Sequence, residues 1–278
     1  MNGFWRNDKM SFFKKTLVAA WVMVPGIAVA GEISLMYLPQ SQIEYEGTGY
    51  RRFDEGWELK VKPQSAAAGF LWRHPLSDRW DLQAQFWRNQ SFFAREDGNA
   101  KSDLMRQTGQ TELTVNNLIL DVRRPLAGSS VRAVAGLQGV YENFHRKEIL
   151  FNAVPEAGDS RENLSAAGAV LGFAGASPDS TDRNRFYCGW EALFGHFFYT
   201  RTSHAIDGGS IHRDGYSYAL RLETGYQMRK WRLGAGFVRQ LIQVQVPGGR
   251  TFPGGAAASL PINKTDFFGL FLALSHVY

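Results

Sequence analysis

The stretch that most constrains this fold is the apolar run at residues 265–278, which reads TDFFGLFLALSHVY. Side chains alternate between two faces along a β-strand. One face would carry Phe268, Leu270, Leu272, Leu274 and Tyr278, and the other Gly269, Phe271, Ala273 and Ser275. A tilted strand crosses a bilayer with about 9–11 residues, whereas a helix needs about 20. The stretch therefore predicts either a membrane-spanning strand or the buried last strand of a soluble β-sandwich.

This stretch resembles the C-terminal strand of Gram-negative outer-membrane β-barrels, which ends on an aromatic residue and is recognised by the barrel-insertion machinery. The resemblance is to this class of proteins and to no individual family. It implies an outer-membrane location and contact with lipid and lipopolysaccharide. It also implies that Phe268, Leu270, Leu272, Leu274 and Tyr278 form the insertion signal.

The N-terminal residues have the pattern of a secretory signal peptide. Lys14 and Lys15 precede a short apolar run at 16–24, and an Ala-Val-Ala motif at 28–30 follows a Pro-Gly pair. A basic segment, an apolar core and a small-residue cleavage site are the three parts of such a signal. We therefore predict that residues 1–30 are removed. Whether translation starts at Met1 or Met10 stays open.

Removal of this segment changes what the charge of the chain implies. It holds four of the 31 basic and one of the 26 acidic residues, so the net charge falls from +5 to +2. A nearly balanced chain gives no reason to expect a nucleic-acid partner. Cys188 is the only cysteine, which excludes an intramolecular disulfide. No nucleotide-binding loop, zinc-ligand spacing or cofactor fingerprint is present, so we expect neither a cofactor nor a metal.

Residues 31–278 form a single predicted domain of alternating segments whose connections are short and long in turn. The segment that begins at Tyr216 shows the clearest alternation, and a first strand is expected somewhere within 32–46. Outer-membrane barrels have short periplasmic turns and longer external loops. We therefore predict an all-β, up-and-down antiparallel transmembrane barrel of about ten strands, with eight or twelve as alternatives and both termini in the periplasm. The predicted long loops are 47–56, 91–109, 145–163, 203–215 and 247–264.

The faces opposite the apolar ones carry charges of both signs. A barrel of about ten strands has a narrow interior, and buried charges require partners. We therefore predict that these charges pair across the lumen and leave it plugged or very narrow. The predicted lumen-facing charges are Glu58, Lys60, Lys62, Asp81, Asp121, Arg123, Arg132, Glu142, Glu191, Arg221, Glu223 and Arg232.

One predicted external loop carries the candidate catalytic residues His204, Asp207, His212 and Asp214. An Asp/His cluster at the outer rim is loosely similar to the arrangement in omptin proteases, although no omptin motif matches residue by residue. Lipid-modifying barrels of the lipid A deacylase type place a Ser and a His on the outer wall, but the pair 275–276 falls at the periplasmic rim.

The leading functional prediction is therefore an outer-membrane barrel of transport, channel or structural type. The alternatives are an outer-membrane hydrolase, acting on peptide or lipid at the outer rim, and a membrane anchor for an envelope assembly. The hydrolase alternative depends on the Asp/His loop. The anchor alternative implies a partner protein in the envelope.

Overall fold

The computed structural model describes residues 31–49, 57–61, 64–91, 94–100, 106–127, 129–151, 154–155, 160–176, 184–204, 210–212, 214–244 and 264–278. The predicted signal peptide and the predicted loop at 247–264, except for its last residue, lie outside these ranges. Almost all of the described residues are in β-strands. No helix in the described part of the chain is long and apolar enough to cross a membrane.

The described strands are β1 (Glu32–Gly49), β2 (Trp57–Val61), β3 (Gln64–Ser77), β4 (Trp80–Ser91), β5 (Ala94–Ala100), β6 (Arg106–Pro125), β7 (Val131–Phe151), β8 (Val154–Pro155), β9 (Ser160–Ala176), β10 (Arg185–His204), β11 (Ser210–His212), β12 (Gly215–Met228), β13 (Trp231–Val244) and β14 (Lys264–Val277).

Ten of these strands follow one another around a closed, fully antiparallel wall. Their order is β1, β3, β4, β6, β7, β9, β10, β12, β13 and β14, and β14 pairs back onto β1 from Glu32↔Val277 to Glu46↔Lys264. The short strands β2 and β5 prolong β3 and β4, and β8 and β11 prolong neighbouring hairpins. Closure leaves no wall strand with an unpaired edge, as a hydrocarbon environment requires. The prediction of a ten-stranded up-and-down barrel is confirmed.

The two ends of the barrel differ. At one end, here called the turn end, Gly31 and Tyr278 join their backbones by hydrogen bonds of 2.9 and 3.0 Å. The tight connections at 78–79 and 229–230 lie at this same end, and Arg229 adopts a φ of 52° that closes the latter turn. The end of β6 with the start of β7, and the end of β9 with the start of β10, lie at the turn end as well. At the opposite end, here called the loop end, the wall strands β1, β4, β7, β10 and β13 finish and the next ones begin.

Strands extend further toward the loop end than the sequence indicated. Strand β6 already begins at Arg106, β7 continues to Phe151 and β10 continues to His204, inside ranges that were predicted as long loops. The physical reason is that backbone pairing needs no apolar face. These polar extensions satisfy the ladder hydrogen bonds without the alternation of hydrophobicity on which the loop boundaries were based.

The outer wall of the barrel is apolar. Phe186, Leu270 and Leu171 expose 81%, 71% and 64% of their surface, and many other large apolar side chains on this wall are exposed. Soluble monomers rarely expose apolar patches larger than a few hundred Å². At the turn end His276 contacts the Trp231 ring edge-on, with centroids 4.7 Å apart, in the manner of an interfacial aromatic girdle. This wall is suited to hydrocarbon.

Candidate functional site

The inner face of the barrel holds most of the charges predicted to face the lumen. Glu58 and Lys60 lie in β2, and the structure does not describe their side chains; Lys62 lies outside the described residues. The alternation of exposed and buried positions along their strands puts the others on the inner face. These are Asp81, Asp121, Arg123, Arg132, Glu142, Glu191, Arg221, Glu223 and Arg232.

Four of these charges form one buried cluster. The Nε of Arg123 donates to Asp121 at 2.7 Å, and its Nη2 donates to Glu191. The Nη2 of Arg221 lies 3.9 Å from the same Glu191 oxygen. The side chains of Asp121, Arg123 and Glu191 are 0%, 1% and 2% exposed, so each depends on its partners for compensation. Two acids and two arginines leave the cluster electrically balanced.

Hydrogen bonds also cross the full width of the interior. The Nδ2 of Asn117 on β6 donates to Oε1 of Gln240 on β13 at 3.0 Å. The Nε2 of Gln138, on the adjacent strand β7, orients this amide by donating to its Oδ1 at 3.0 Å. Thr265 on β14 donates to Glu142 on β7 at 3.1 Å. Both β6 with β13 and β7 with β14 are five strands apart in the ring of ten. Diametrically opposite walls are therefore in direct contact through short side chains.

Three apolar clusters fill further parts of the interior, which the sequence reasoning missed. The inner face was expected to be polar and charged, yet Trp87, Phe144, Phe197 and Phe271 are all buried there. The Trp87 ring lies against Gly69, where an added Cβ would be 2.6 Å from the indole. Glycine paired with an aromatic residue across two strands could have signalled this inward packing.

A cavity of about 50 Å³ lies inside the turn end, large enough for a few water molecules. We refer to it as the vestibule. Its charged lining consists of Glu32, Arg73, Arg123, Arg132, Arg221, Glu223 and Arg232.

Ion pairs and hydrogen bonds order the vestibule wall. A single oxygen of Glu32 lies 3.4 Å from Arg73 and 3.1 Å from Arg232. The hydroxyl of Tyr187 donates to Glu223 at 2.7 Å. The Arg123 cluster closes the inner side of the vestibule. Charged groups of both signs therefore border an open space here.

The candidate catalytic residues at the loop end are not gathered into a described site. His204 ends β10 and His212 ends β11, and the hairpin register pairs His212 with Arg201. The backbones of His204 and His212 are therefore three residue positions apart along the strand pair, which is about 10 Å. Asp207 lies outside the described residues, and Asp214 is exposed just before β12.

The pair Ser275 and His276 is divided between the two faces of β14. Ser275 is 1% exposed inside the barrel and donates to Ser34 at 2.7 Å, whereas His276 lies in the aromatic girdle with Trp231. Successive residues on a strand point to opposite faces, so these two groups cannot act together. Among the described residues, no group of three or more His, Cys, Asp and Glu side chains is placed to hold a metal ion.

Comparisons with known proteins bear on the class of this barrel. No protein-family model matches the sequence, and no curated protein sequence matches it. Among solved structures, the outer-membrane protease OmpT from Escherichia coli matches with a TM-score of 0.58 and 10% identity, over 92% of this chain and 99% of OmpT. The translocator domain of the autotransporter NalP from Neisseria meningitidis matches with a TM-score of 0.35 and 8% identity, over 97% and 96% of the two chains. The deltaS2S3 mutant of the monoaromatic hydrocarbon channel TodX gives 0.33 and 9%, over 93% and 94%.

At 10% identity the OmpT match establishes a shared fold alone. Together with the closed wall and the apolar exterior, it gives this chain the fold of Gram-negative outer-membrane β-barrel proteins, the class that residues 265–278 resemble. More particularly, it is a closed, ten-stranded, up-and-down antiparallel barrel with an apolar outer wall.

Proposed function

We propose that this protein is a structural outer-membrane barrel with a sealed interior, which anchors an envelope assembly through its turn end. The observation that carries this proposal is the contact between diametrically opposite strands. Asn117 reaches Gln240 and Thr265 reaches Glu142 over distances of 3.0 and 3.1 Å. A general diffusion pore requires an aqueous channel, which barrels of 16–18 strands have. Of the predicted barrel functions, a structural role fits this interior better than free passage of solutes.

The apolar packing near the cross-lumen bonds favours the same conclusion. Phe144 and Phe197 belong to one buried apolar cluster, and Trp87 and Phe271 belong to another. Opening a passage through these clusters would expose apolar side chains to water, at about 25 cal/mol for each Å². It would also break hydrogen bonds of buried polar groups, each of which costs about 1–3 kcal/mol when left unsatisfied. A sealed state is therefore the stable one.

The turn end is the side we assign to the periplasm. Exported barrels have short periplasmic turns, and the connections at 78–79 and 229–230 hold two residues each. In this orientation the vestibule opens toward the periplasm, and the apolar wall contacts lipid, with lipopolysaccharide at its outer rim. The basic residues Arg79, Arg229 and Lys230 in the turns would then be available to an envelope partner.

Planar-bilayer recordings test the seal. The mature protein, shown by heat-modifiable gel migration to be folded and inserted, is expected to give no unitary current steps. A second measurement uses single cysteines in a Cys188→Ser background, labelled by a membrane-impermeant thiol reagent. Cysteine at Glu223, in the vestibule, should react from one side of the membrane only, while cysteine at Val115, buried in the loop half, should resist the reagent from both sides. Regular current steps, or labelling at Glu223 from both sides, would contradict the proposal.

A further inference from the structure

We propose that the vestibule is a binding site for a small oxyanion, a phosphate or carboxylate group, held by the guanidinium groups of Arg73, Arg221 and Arg232. The site goes beyond the anchoring role proposed above, although its blind inner end follows from the sealed interior. Five arginines and two glutamates line the cavity. Guanidinium groups present paired N–H donors that match the oxygens of carboxylate and phosphate.

Glu32 places an oxygen anion against two arginines of the vestibule wall. One of its carboxylate oxygens lies 3.4 Å from Arg73, on the adjacent strand β3, and 3.1 Å from Arg232, on β13, two strands away in the other direction. Two guanidinium groups thus converge on a single oxyanion, with one positive charge in excess. The protein's own carboxylate demonstrates that this geometry accepts an oxygen anion. A ligand can approach the same pair of arginines from the cavity side.

Arg221 has hydrogen-bond donors that its long contacts within the barrel do not use fully. Its side chain is 11% exposed and borders the cavity. Its contacts with Met36 Sδ and with Glu191 are both 3.9 Å long, whereas hydrogen bonds from nitrogen to oxygen are about 2.7–3.2 Å. A guanidinium has five N–H donors. An oxyanion in the vestibule would give this group the short bonds that Glu191, engaged by Arg123, leaves unmade.

A third observation concerns the mouth of the vestibule. Arg185 lies on the same face of β10 as Tyr187, two residues nearer the turn end, and its buried Nε and Nη2 have no hydrogen-bond partner. Its charge adds to the positive balance at the entrance. Electrostatic attraction of this kind raises the local concentration of anions and their rate of entry.

Calorimetric titration of the folded mature protein in detergent tests this proposal. Inorganic phosphate and acetate are the two probes, and ionic strength is kept constant with sodium chloride because salt screens such sites. We expect saturable binding of at least one probe. Arg221→Gln should weaken it about tenfold, the effect of losing a charge-assisted hydrogen bond. Arg124→Gln, an exposed turn-end control outside the vestibule, should leave it unchanged.

A variant that is expected to strengthen anion binding separates an effect on the site from a loss of folding. Glu32→Gln removes the charge that Arg73 and Arg232 share, so anion binding should become several-fold tighter. Binding of phosphate alone assigns the site to phosphate groups, and binding of acetate alone assigns it to carboxylates. Absence of saturable binding for both probes, or equal weakening by Arg221→Gln and Arg124→Gln, would overturn the proposal. Neither result would alter the conductance measurement, which tests the sealed interior separately.

Discussion

Replacement of Arg123 by methionine should destabilise the barrel strongly, because it leaves two buried acids facing each other. Arg123 is 1% exposed and lies between Asp121 and Glu191, whose side chains are 0% and 2% exposed. Without Arg123, Glu191 would keep Arg221, 3.9 Å away, but neither acid would keep a short ion pair with an arginine inside the cluster. Removal of one partner from a buried ion pair costs about 3–5 kcal/mol. We therefore expect a loss of this size in the free energy of unfolding.

The adjacent residue supplies a matched control. Arg124 is exposed, and its guanidinium lies 5.4 Å from the centre of the Trp80 ring. An exposed cation–π contact is worth about 0.5–1 kcal/mol, so Arg124→Met should cost no more than that. Both variants make the same chemical change at neighbouring positions. They differ only in which face of the strand the side chain occupies.

Urea titration of the protein in lipid vesicles, followed by tryptophan fluorescence and gel migration, measures both costs. Adding Asp121→Asn to Arg123→Met should recover part of the lost stability, because one stranded charge is removed and residues in one network are not additive. Equal costs for Arg123→Met and Arg124→Met would refute the reasoning that the cluster depends on charge compensation. A lower stability of the Arg123→Met, Asp121→Asn double variant than of Arg123→Met alone would refute it as well.

Two further predictions concern the faces of the wall, and a third concerns the candidate catalytic residues at the loop end. Leu270→Arg places a charge on the outer face, at a position that is 71% exposed. It should lower the free energy of unfolding in vesicles by about 2–4 kcal/mol. An unchanged free energy of unfolding would contradict a lipid-facing position. Gly69→Val should cost about 1–3 kcal/mol in the same assay, since its Cβ would lie 2.6 Å from the Trp87 ring, and Trp87→Ala in the same chain should relieve part of this crowding. If the chain were instead a hydrolase at the outer rim, His212→Ala and Asp214→Ala should each abolish cleavage of a peptide or lipid substrate without affecting insertion; we expect no such activity in the wild type.

The alternation of residues along the chain determined the wall of this protein. Leu270, Leu272 and Leu274 form an apolar face with a period of two, and the same pattern recurs from one segment to the next. In a closed barrel that period has only two directions, toward lipid or toward the lumen. The sequence therefore sufficed to predict a transmembrane barrel of about ten strands, with eight and twelve as alternatives, and the structure has ten. It also named Asp121, Arg123 and Glu191 as inner-face candidates, and they lie there.

The contents of the interior were decided by the tertiary structure. Periodicity cannot tell which of two partly apolar faces points inward, and for this reason Trp87, Phe144 and Phe271 were not predicted to be inside. Nor can it tell which side chains meet across a lumen, since the partner of Asn117 is 123 positions away on the opposite wall. Those encounters depend on the number of strands and on their stagger around the ring, which exist only once the sheet has closed.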